Sequence, residues 1–361
     1  MKKVGLITIV LTYRDRDLAI VKKCLDSLER QSLKDFNVVL VDYGSQIEFA
    51  NNLSVLAKKY NFVKLIQCPV QGQLWNKSRA INIALKQCET PYFLVGDIDL
   101  VFHPDFIKTA IKLASENVVY FKYSFLSKEE SLNDKNFEDY EIDFEGGKEI
   151  TGTTLFPTET LKKVNGYDEF YHGWGAEDTD IHERLKTFGL KVVFYNSSIL
   201  LKHQWHPKAY RSKTSSSPFH SNLERVNHDY MYLTINNKIV KANGNQDWGI
   251  LPNKQDYLKL LLKPNVEINI QPIDFHFSAL LAQLKNFNNQ VVKIQINQVE
   301  SKQRLIQTLK KTLKKKYFKY LKLEDVNNLL LEEIIKNYRS KPYEYHFNRE
   351  VGRINLTIYF N

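Results

Sequence analysis

Cysteine is scarce in this chain of 361 residues, which contains three in total. Cys24, Cys68 and Cys88 form an odd, widely spaced set without the spacing of a metal site. A secreted domain held together by disulfides needs cysteines in pairs and usually at higher density. We therefore expect these residues to be core thiols of a reduced, cytoplasmic protein.

Long apolar runs are also missing, since no stretch approaches the roughly 18–20 apolar residues of a membrane-spanning helix. The start, MKKVGLITIVLTYRDR, superficially resembles a signal peptide. Its apolar core is short, it leads into Arg14-Asp15-Arg16, and no small-residue cleavage site follows. We interpret it as a first buried strand. With 43% apolar and 25% charged residues, the composition is that of a soluble globular protein.

The net charge of +10 is spread unevenly along the chain. Residues 251–361 contain 19 Lys/Arg against 10 Asp/Glu, so nearly all of the excess lies there. The basic tail predicts an acidic partner, such as a membrane surface or a negatively charged polymer. The charge indicates nothing about the ligand of the front part.

The first hundred residues alternate short apolar runs with segments of helical spacing. The predicted elements are strands at Val4–Leu11, Val38–Val41, Phe62–Cys68 and Pro91–Val95 and helices at Asp17–Gln31 and Asn76–Cys88. This alternation predicts an α/β fold with a mostly parallel sheet and helices on both faces. Ligands of such sheets bind at the carboxyl ends of the strands, where Asp42, Asp97 and Asp99 fall.

The pattern becomes irregular beyond residue 100. Ser127–Gly147 is polar and acidic and predicts a loop over the site, while Ser212–Pro218 predicts a flexible segment. A composition change near residue 250 predicts two domains. The first would span 1–250, and the second would be a smaller α/β or helical domain at 251–361.

The sequence GDIDL places Asp97 and Asp99 directly after a buried strand. Since one residue separates them, we expect their carboxylates to project to the same side of the chain. Such a pair can bind a divalent cation and the diphosphate attached to it. A strand-end turn without a ligand is the plain alternative, but the preceding strand delivers both carboxylates to the ligand-bearing edge.

The stretch YHGWGAEDTDIH puts Trp174 between two glycines and Glu177 and Asp178 at the start of a predicted helix. The glycines permit close approach of a ligand, and an indole face can stack on a sugar. Carboxylates at a helix N-terminus are favoured by the helix dipole and tend to stay ionised. One could therefore take a proton from an acceptor hydroxyl. An acidic helix start beside a core Trp is the alternative, and G-W-G favours the binding interpretation.

The sequence LLKHQWHP places His203 and His206 shortly after a strand. Either imidazole could complete a metal site begun by the two aspartates. Imidazole suits Mn²⁺ better than Mg²⁺. We favour His203 over His206.

These motifs, N-x-S-R-x-x-x-N within WNKSRAIN, then D-x-D, then G-W-G-x-E-D, together resemble the GT-A-fold inverting glycosyltransferases. The N-terminal part resembles glycosyltransferase family 2. The segment Trp75–Leu185 resembles the animal β-1,4-galactosyltransferases and the transferase modules of bacterial chondroitin polymerases. The resemblance covers roughly residues 4–207. It implies transfer of a hexose or N-acetylhexosamine from a UDP-sugar, with Mn²⁺ or Mg²⁺, to a glycan or lipid-linked glycan in cell-envelope polysaccharide or glycolipid synthesis.

The resemblance also implies roles for single residues on the donor side. Three residues after the first strand would frame the nucleotide: Thr12, Tyr13 and Arg14. Asp42 would contact the uridine, and Arg79 would face the diphosphate. Asp99 would be the principal carboxylate ligand of the metal, with Asp97 in support and His203 as a further ligand.

On the acceptor side, the resemblance implies that Trp174 binds the donor or acceptor sugar, Glu177 holds acceptor hydroxyls and Asp178 is the general base. Two positions depart from the family patterns. Tyr43 stands where family 2 usually has a second Asp, and Thr179 stands where galactosyltransferases carry another acid. The identity of the acceptor therefore does not carry over.

Lys302–Leu323 predicts a basic amphipathic helix, because Leu305, Leu309 and Leu313 recur every four residues with lysines between them. It could dock on an anionic membrane at the inner face of the cell, where lipid-linked acceptors reside. It could instead pack its apolar side on a small domain, which the strand-like runs VVKIQI and INLTIYF slightly favour. No recognisable module supports nucleic-acid binding.

Two further functions compete with a transferase. A nucleotidyltransferase would need a basic, glycine-rich triphosphate loop near the first strand, and TYRDRD contains no glycine. A non-catalytic relative that binds sugar without turnover would have little use for a base beside a metal pair.

Overall fold

A computed structural model describes residues 5–207, 218–244 and 246–361. The chain divides into two compact units. The first comprises Met1–Cys68, Trp75–Arg211 and Glu224–Leu251, and the second comprises Pro69–Leu74, Ser212–Leu223 and Pro252–Asn361. The segment Ser212–Pro218, expected to be flexible, lies outside the described residues except for Pro218. The domain division at residues 250 and 251 stays a prediction.

The first unit is built on β-strands that carry most of its apolar residues. They are β1 (Ile7–Tyr13), β2 (Phe36–Tyr43), β3 (Val63–Cys68), β4 (Tyr92–Asp97), β5 (Leu100–Phe102), β6 (Val118–Phe121), β7 (Ser124–Phe125), β8 (Phe144–Glu145), β9 (Thr154–Pro157), β10 (Val192–Tyr195) and β11 (Leu201–His203). Seven form one sheet in the order β10-β6-β9-β4-β1-β2-β3, which is parallel except at β9. A smaller sheet has the order β5-β11-β7-β8.

The helices of this unit follow the strands in an α/β arrangement. They are α1 (Leu18–Glu29), α2 (Ile47–Ala57), α3 (Lys77–Lys86), α4 (Phe106–Leu113), α5 (Lys128–Leu132), α6 (Thr158–Lys163), α7 (Glu177–Thr187) and α8 (Leu223–Asn236). Asp17 caps α1 by accepting from the Ala19 N–H at 2.8 Å. The predicted apolar face of α1 is buried through Val21, Leu25 and Leu28. The mostly parallel α/β fold predicted for this part is confirmed.

Strand β1 lies in the middle of the sheet, and all seven of its residues are buried. It pairs in parallel with β2 and β4, so the carboxyl ends of the three strands meet at one edge. Thr12 is opposite Asp97 in this register, and Tyr13 is opposite Asp42. The polar residues of the sequence motifs are thereby brought to one edge of the sheet.

One expectation about this unit needs correction. The stretch 127–147 is not wholly a loop, since it contains α5, capped by the Ser127 side chain, and the short strand β8. The helix α2 was not predicted from the sequence pattern.

The second unit is a small α/β fold. The sequence analysis left an α/β and a helical domain as alternatives, and the structure shows the first. Its elements are α9 (Lys254–Leu258), β12 (Val266–Ile270), α10 (Asp274–Leu284), β13 (Gln290–Asn297), α11 (Ser301–Thr312), α12 (Leu323–Glu333), β14 (Tyr343–Asn348) and β15 (Arg353–Phe360). The sheet order is β12-β13-β15-β14. The helix predicted to reach Leu323 ends at Thr312, since Lys314 adopts a left-handed φ of 52°.

None of the helices among the described residues is both long and apolar enough to cross a lipid bilayer.

Candidate active site

The first turn of α3 is tied to the loop that precedes α7. Asn76 caps α3, since its side chain accepts a hydrogen bond from the Arg79 N–H at 2.8 Å. The same side chain donates to the carbonyl of Glu169 at 2.9 Å. The carbonyl of Trp75 accepts from the Gly173 N–H at 2.8 Å. Because a cap satisfies backbone groups that the helix cannot, this turn and the loop fix each other's position.

The loop around Trp174 depends on left-handed backbone. Gly173 has a φ of 72° and Gly175 a φ of 101°, values that strain residues with a Cβ atom. Asn227 of α8 donates to the carbonyl of Trp174 at 3.2 Å, which holds the loop from the other side. Trp174 is 44% exposed. Trp174 therefore remains a candidate for stacking on a sugar.

Asp99 and two histidines form a cluster at the turn after β4. Its Oδ1 is 3.3 Å from Nε2 of His203, and its Oδ2 is 3.1 Å from Nε2 of His206. One ligand atom from each of the three residues lies within 4.8 Å of the others. Imidazole and carboxylate together suit a borderline divalent ion such as Mn²⁺. The residues present therefore fit the predicted metal, and both candidate histidines contact Asp99.

The charge of Asp99 is stabilised by its neighbours. Nη2 of Arg16 lies 3.5 Å from its Oδ2. Burial by itself would raise the pKa of Asp99, but His203, His206 and Arg16 outweigh burial and hold that pKa below its usual range. An ionised carboxylate is the form that a cation requires.

Asp97 belongs to a second cluster. We expected its carboxylate to point to the same side as that of Asp99, but residues 98 and 99 form a turn, so the alternation of a strand does not apply. Nζ of Lys77 lies 3.2 Å from Oδ1 of Asp97, 3.1 Å from Oδ2 of Asp178 and 3.6 Å from Oε1 of Glu177. The D-x-D motif thus joins the histidine cluster to the carboxylates at the start of α7.

Asp178, the predicted base, lies in a buried and highly charged environment. Its Oδ2 contacts Lys77, whereas its Oδ1 is buried and has no hydrogen-bond partner among the described residues. Burial raises the pKa of Asp178, Lys77 lowers it, and Glu177 and Asp97 raise it, with a result of about 7. The helix dipole led us to expect a fully ionised group. Burial beside two other carboxylates outweighs the dipole here.

The residues predicted to frame the nucleotide lie at the same edge of the sheet as the two clusters. Thr12 and Tyr13 end β1, and Asp42 is opposite Tyr13 near the end of β2. Asp42 is buried, and its Oδ1 accepts from the Ser45 N–H at 3.1 Å. Burial raises the pKa of Asp42 although this bond opposes the rise.

Among the described residues, cationic side chains also lie at or next to the site, and the sequence identified two of them. Arg14 follows β1, and Arg79 is buried on α3, where its guanidinium donates to the carbonyl of Ile250 at 3.4 Å. Lys77 and Arg16 were missed, although both contact site carboxylates. Lys77 occupies the variable position of N-x-S-R. Its place inside that motif was the one feature of the sequence that could have marked it as a site residue.

Two family models match this part of the chain. Glycosyl transferase family 2 matches residues 8–161, and the N-terminal domain of galactosyltransferase matches residues 134–206. Together these matches include the D-x-D motif, the Trp174 loop and both histidines. Residues 8–206 are thus matched by models of glycosyltransferase families. The predicted family resemblance and the predicted enzyme class are confirmed.

Known proteins resemble the chain over limited lengths. The teichoic acid poly(glycerol phosphate) polymerase of Staphylococcus epidermidis is 32% identical over 93 residues, 26% of this chain and 12% of the polymerase. Beta-1,4-galactosyltransferase 4 of Homo sapiens is 26% identical over 126 residues, 34% of this chain and 32% of the relative. The chain thus spans a third or less of each relative's length. A solved structure of GalNAc-T7 with UDP, GalNAc and Mn²⁺ is 12% identical, with a TM-score of 0.49, over 71% of this chain and 51% of that one. A similarity this low supports no conclusion about the ligands of the glycosyltransferase domain.

Proposed function

We propose that the protein is a metal-dependent inverting glycosyltransferase that moves a hexose or N-acetylhexosamine from a UDP-sugar to a sugar acceptor. The observation that carries the proposal is Asp178, a buried carboxylate with one oxygen on Lys77 and the other without a hydrogen-bond partner among the described residues. An inverting transfer needs one base and a stabilised leaving group. Lys77 and Asp97 connect this base to the turn that carries Asp99.

Asp99, His203 and His206 would hold the cation, for which Mn²⁺ suits the two imidazoles and Mg²⁺ is the alternative. When bound, such an ion offsets the negative charge that develops on a departing diphosphate. Oδ1 of Asp99 is buried and lies 3.3 Å from Nε2 of His203, yet it makes no hydrogen bond among the described residues, which fits two ligand atoms that face a shared cation.

Asp178 would act on the acceptor. Its Oδ1 takes the proton as the O–H bond of the acceptor hydroxyl breaks, and the acceptor oxygen forms a bond to the anomeric carbon of the donor sugar. The bond from that carbon to the diphosphate oxygen breaks, and its electron pair leaves with the nucleoside diphosphate. Since the acceptor attacks from the side opposite the leaving group, the anomeric configuration inverts.

The remaining residues would bind the two substrates. On the donor side, the resemblance to family 2 assigns the nucleotide to four residues: Thr12, Tyr13, Arg14 and Asp42. Arg79 would meet the diphosphate. Trp174 would stack on a sugar, and Glu177 would accept hydrogen bonds from acceptor hydroxyls. A glycan or lipid-linked glycan of the cell envelope is the proposed acceptor, supported by the teichoic acid polymerase and the galactosyltransferase among the relatives.

The test is UDP release from a panel of UDP-sugars, with and without Mn²⁺, because water can replace a missing acceptor. The wild type should release UDP from one donor in a metal-dependent manner. Asp178→Asn should lose this release, and Asp99→Asn should lose the part of it that Mn²⁺ stimulates. Unchanged turnover in Asp99→Asn would show that the metal site is wrongly assigned. Nucleotide-dependent thermal stabilisation without any release would favour a binding-only relative.

We also propose that the second unit contacts an anionic membrane through residues 302–323, at the inner face of the cell membrane if the protein is cytoplasmic. We expected the leucines of this segment to pack on the small domain. Instead, Leu305, Leu309 and Leu313 are 65%, 61% and 58% exposed, so the packing interpretation is wrong for these side chains. Exposed leucines in a monomer usually mark a contact surface when they cluster.

The charge around these leucines favours a lipid surface over a protein partner. Eight lysines occupy the same segment: Lys302, Lys310, Lys311, Lys314, Lys315, Lys316, Lys319 and Lys322. Lysines next to a helix with an apolar face are typical of segments that lie in the interface of an anionic bilayer. Such a contact would place the enzyme beside lipid-linked acceptors.

A further inference from the structure

Lys77 has an unusual environment for a lysine. Its ammonium lies between three carboxylates, with Nζ within 3.6 Å of an oxygen of Asp97, Glu177 and Asp178. Only 15% of its side chain is exposed. Buried lysines are rare because water stabilises their charge, and this one is retained by partners that come from β4 and α7.

The backbone that carries Lys77 is held on both sides. It is the first residue of α3, directly after the cap Asn76. The Trp75 carbonyl and the Asn76 side chain are bonded to Gly173 and Glu169, in the loop that leads to α7. The lysine and its carboxylate partners are therefore positioned by the same set of hydrogen bonds. A flexible surface lysine would lack this support.

The contact distinguishes the two oxygens of Asp178. Lys77 donates to Oδ2 at 3.1 Å, while Oδ1 has no hydrogen-bond partner among the described residues. We infer that Lys77 is a positioning residue that holds Asp178 by Oδ2, leaves Oδ1 to accept the proton of the acceptor, and couples this base to Asp97 of the D-x-D motif. The inference rests on the proposed role of Asp178 as the base.

The electrostatics agree with this geometry. Burial would lower the pKa of Lys77, but Asp178, Asp97 and Glu177 raise it well above its usual value, so the residue stays a cation. Its positive charge opposes the rise that burial imposes on the pKa of Asp178. Other titratable groups that interact with Asp178 include Glu177, Asp97, Tyr123 and Tyr167. Among these neighbours, Lys77 alone is cationic, so its removal leaves the carboxyl only with neighbours that favour protonation.

The test compares Lys77→Met, which keeps the length of the side chain without its charge, with Lys77→Arg, which keeps the charge. Lys59→Met, at an exposed lysine of the first unit, is the matched control. In the wild type and each variant, metal-dependent UDP release is measured against pH. We expect the acidic limb of the Lys77→Met profile to move at least one pH unit upward, which is about a tenfold loss of rate below pH 7. The acidic limb of Lys77→Arg should lie close to that of the wild type, because the positive charge is kept. The profile of Lys59→Met should match that of the wild type.

A second readout does not depend on turnover. Infrared difference spectra between each protein and its Asp178→Asn counterpart follow the carboxyl band of Asp178 through a pH titration. The midpoint should rise in Lys77→Met and stay near the wild-type value in Lys77→Arg. An unchanged midpoint in a folded Lys77→Met protein would overturn the inference, and Lys77→Gln serves if the Met variant does not fold. If the wild type releases no UDP, the proposed function fails, and the infrared midpoint still decides whether Lys77 controls Asp178.

Discussion

At the scale of single residues, the site contains two carboxylates, Asp99 and Asp178, whose pKa values are shifted in opposite directions. Asp99 is surrounded by His203, His206 and Arg16, and these neighbours hold its pKa below the usual range in spite of burial. Asp178 has the ammonium of Lys77 beside it, and its pKa is about 7. Environments that separate the pKa values of two acids commonly separate their roles. A stable anion suits a cation ligand, and a carboxyl that titrates near neutrality suits a base.

The pKa of Asp178 sets a direction for the pH dependence. Below about pH 7 the carboxyl is protonated and cannot accept the proton of the acceptor, and above that pH it is ionised. Turnover at saturating donor should therefore rise about tenfold per pH unit on the acidic side and level off above pH 7. The pH profile of UDP release measures this. A rate that is flat from pH 5 to 8 would contradict the assignment of Asp178 as the base.

Some of these residues could be predicted from the sequence and others could not. Asp97 ends a strand, Asp99 follows it, and Glu177 and Asp178 begin a helix, as local rules predict. The turn at residues 98 and 99, which places the carboxylates of Asp97 and Asp99 in different clusters, was not predicted. The role of Lys77 could not be predicted, because its three partners come from β4 and α7 and are 20 to 101 positions away. Spacing along the chain carries no information about such a contact.

At the scale of elements, the polar residues of α7 have two functions. Glu177 and Asp178 belong to the site, whereas Asp180 and Arg184 form a buried pair that stabilises the first unit. Asp180, in the same EDTD run as the predicted base, is fully buried and accepts from Nε of Arg184 at 2.7 Å. Arg184 also donates to the carbonyls of Val164 and Gly166. This i, i+4 pair fixes α7 to the loop after α6. The three acids of EDTD thus do not share one function.

Removal of the arginine should destabilise the first unit. Arg184→Met leaves Asp180 buried without its cation, and such losses cost about 3–5 kcal/mol, or a decrease in melting temperature of roughly 10 °C. Thermal unfolding followed by circular dichroism measures it. Lys186→Met is the control on the same helix, because its pair with Glu183 is exposed and contributes about 0–1 kcal/mol. Equal shifts in the two variants would show that the buried pair is not a main support of α7.

In the second unit, the end of α11 could not be predicted from the spacing of its leucines. The leucine spacing from residue 305 predicted one helix to Leu323, and α11 ends at Thr312. The apolar residues keep the helical period beyond Thr312. However, four of the six residues from 311 to 316 are lysines. Repulsion among like charges weakens a helix at this point, and Leu313 then caps α11 instead of extending it.

At the scale of the whole molecule, the chain combines a neutral first part with a strongly basic second unit. The composition located this asymmetry, because residues 251–361 hold 19 Lys/Arg and 10 Asp/Glu. It could not determine whether the apolar side of α11 packs inside the unit. That choice depends on the sheet β12-β13-β15-β14, whose core is filled by other residues, among them Val292, Ile294, Leu356 and Ile358.

The membrane proposal predicts binding of the full chain to lipid vesicles. Cosedimentation with vesicles that contain phosphatidylglycerol should exceed that with neutral phosphatidylcholine vesicles and should weaken as salt rises. The double variant Leu305→Gln/Leu309→Gln should bind at least about tenfold more weakly, since each buried leucine contributes about 1.5–3 kcal/mol. Leu261→Gln, at a leucine that is 78% exposed in the same unit, is the control. Equal binding by the double variant and the control would refute docking through residues 302–323.

The central claim is that one base, Asp178, and no covalent nucleophile drives the transfer. The most direct measurement is proton NMR of the sugar released when the enzyme hydrolyses an α-linked UDP-sugar, recorded before the free sugar mutarotates. Inversion predicts that the β-anomer appears first and that Asp178→Asn releases neither anomer above background. Initial release of the α-anomer would mean retention of configuration, and it would contradict both the single-base mechanism and the role assigned to Asp178.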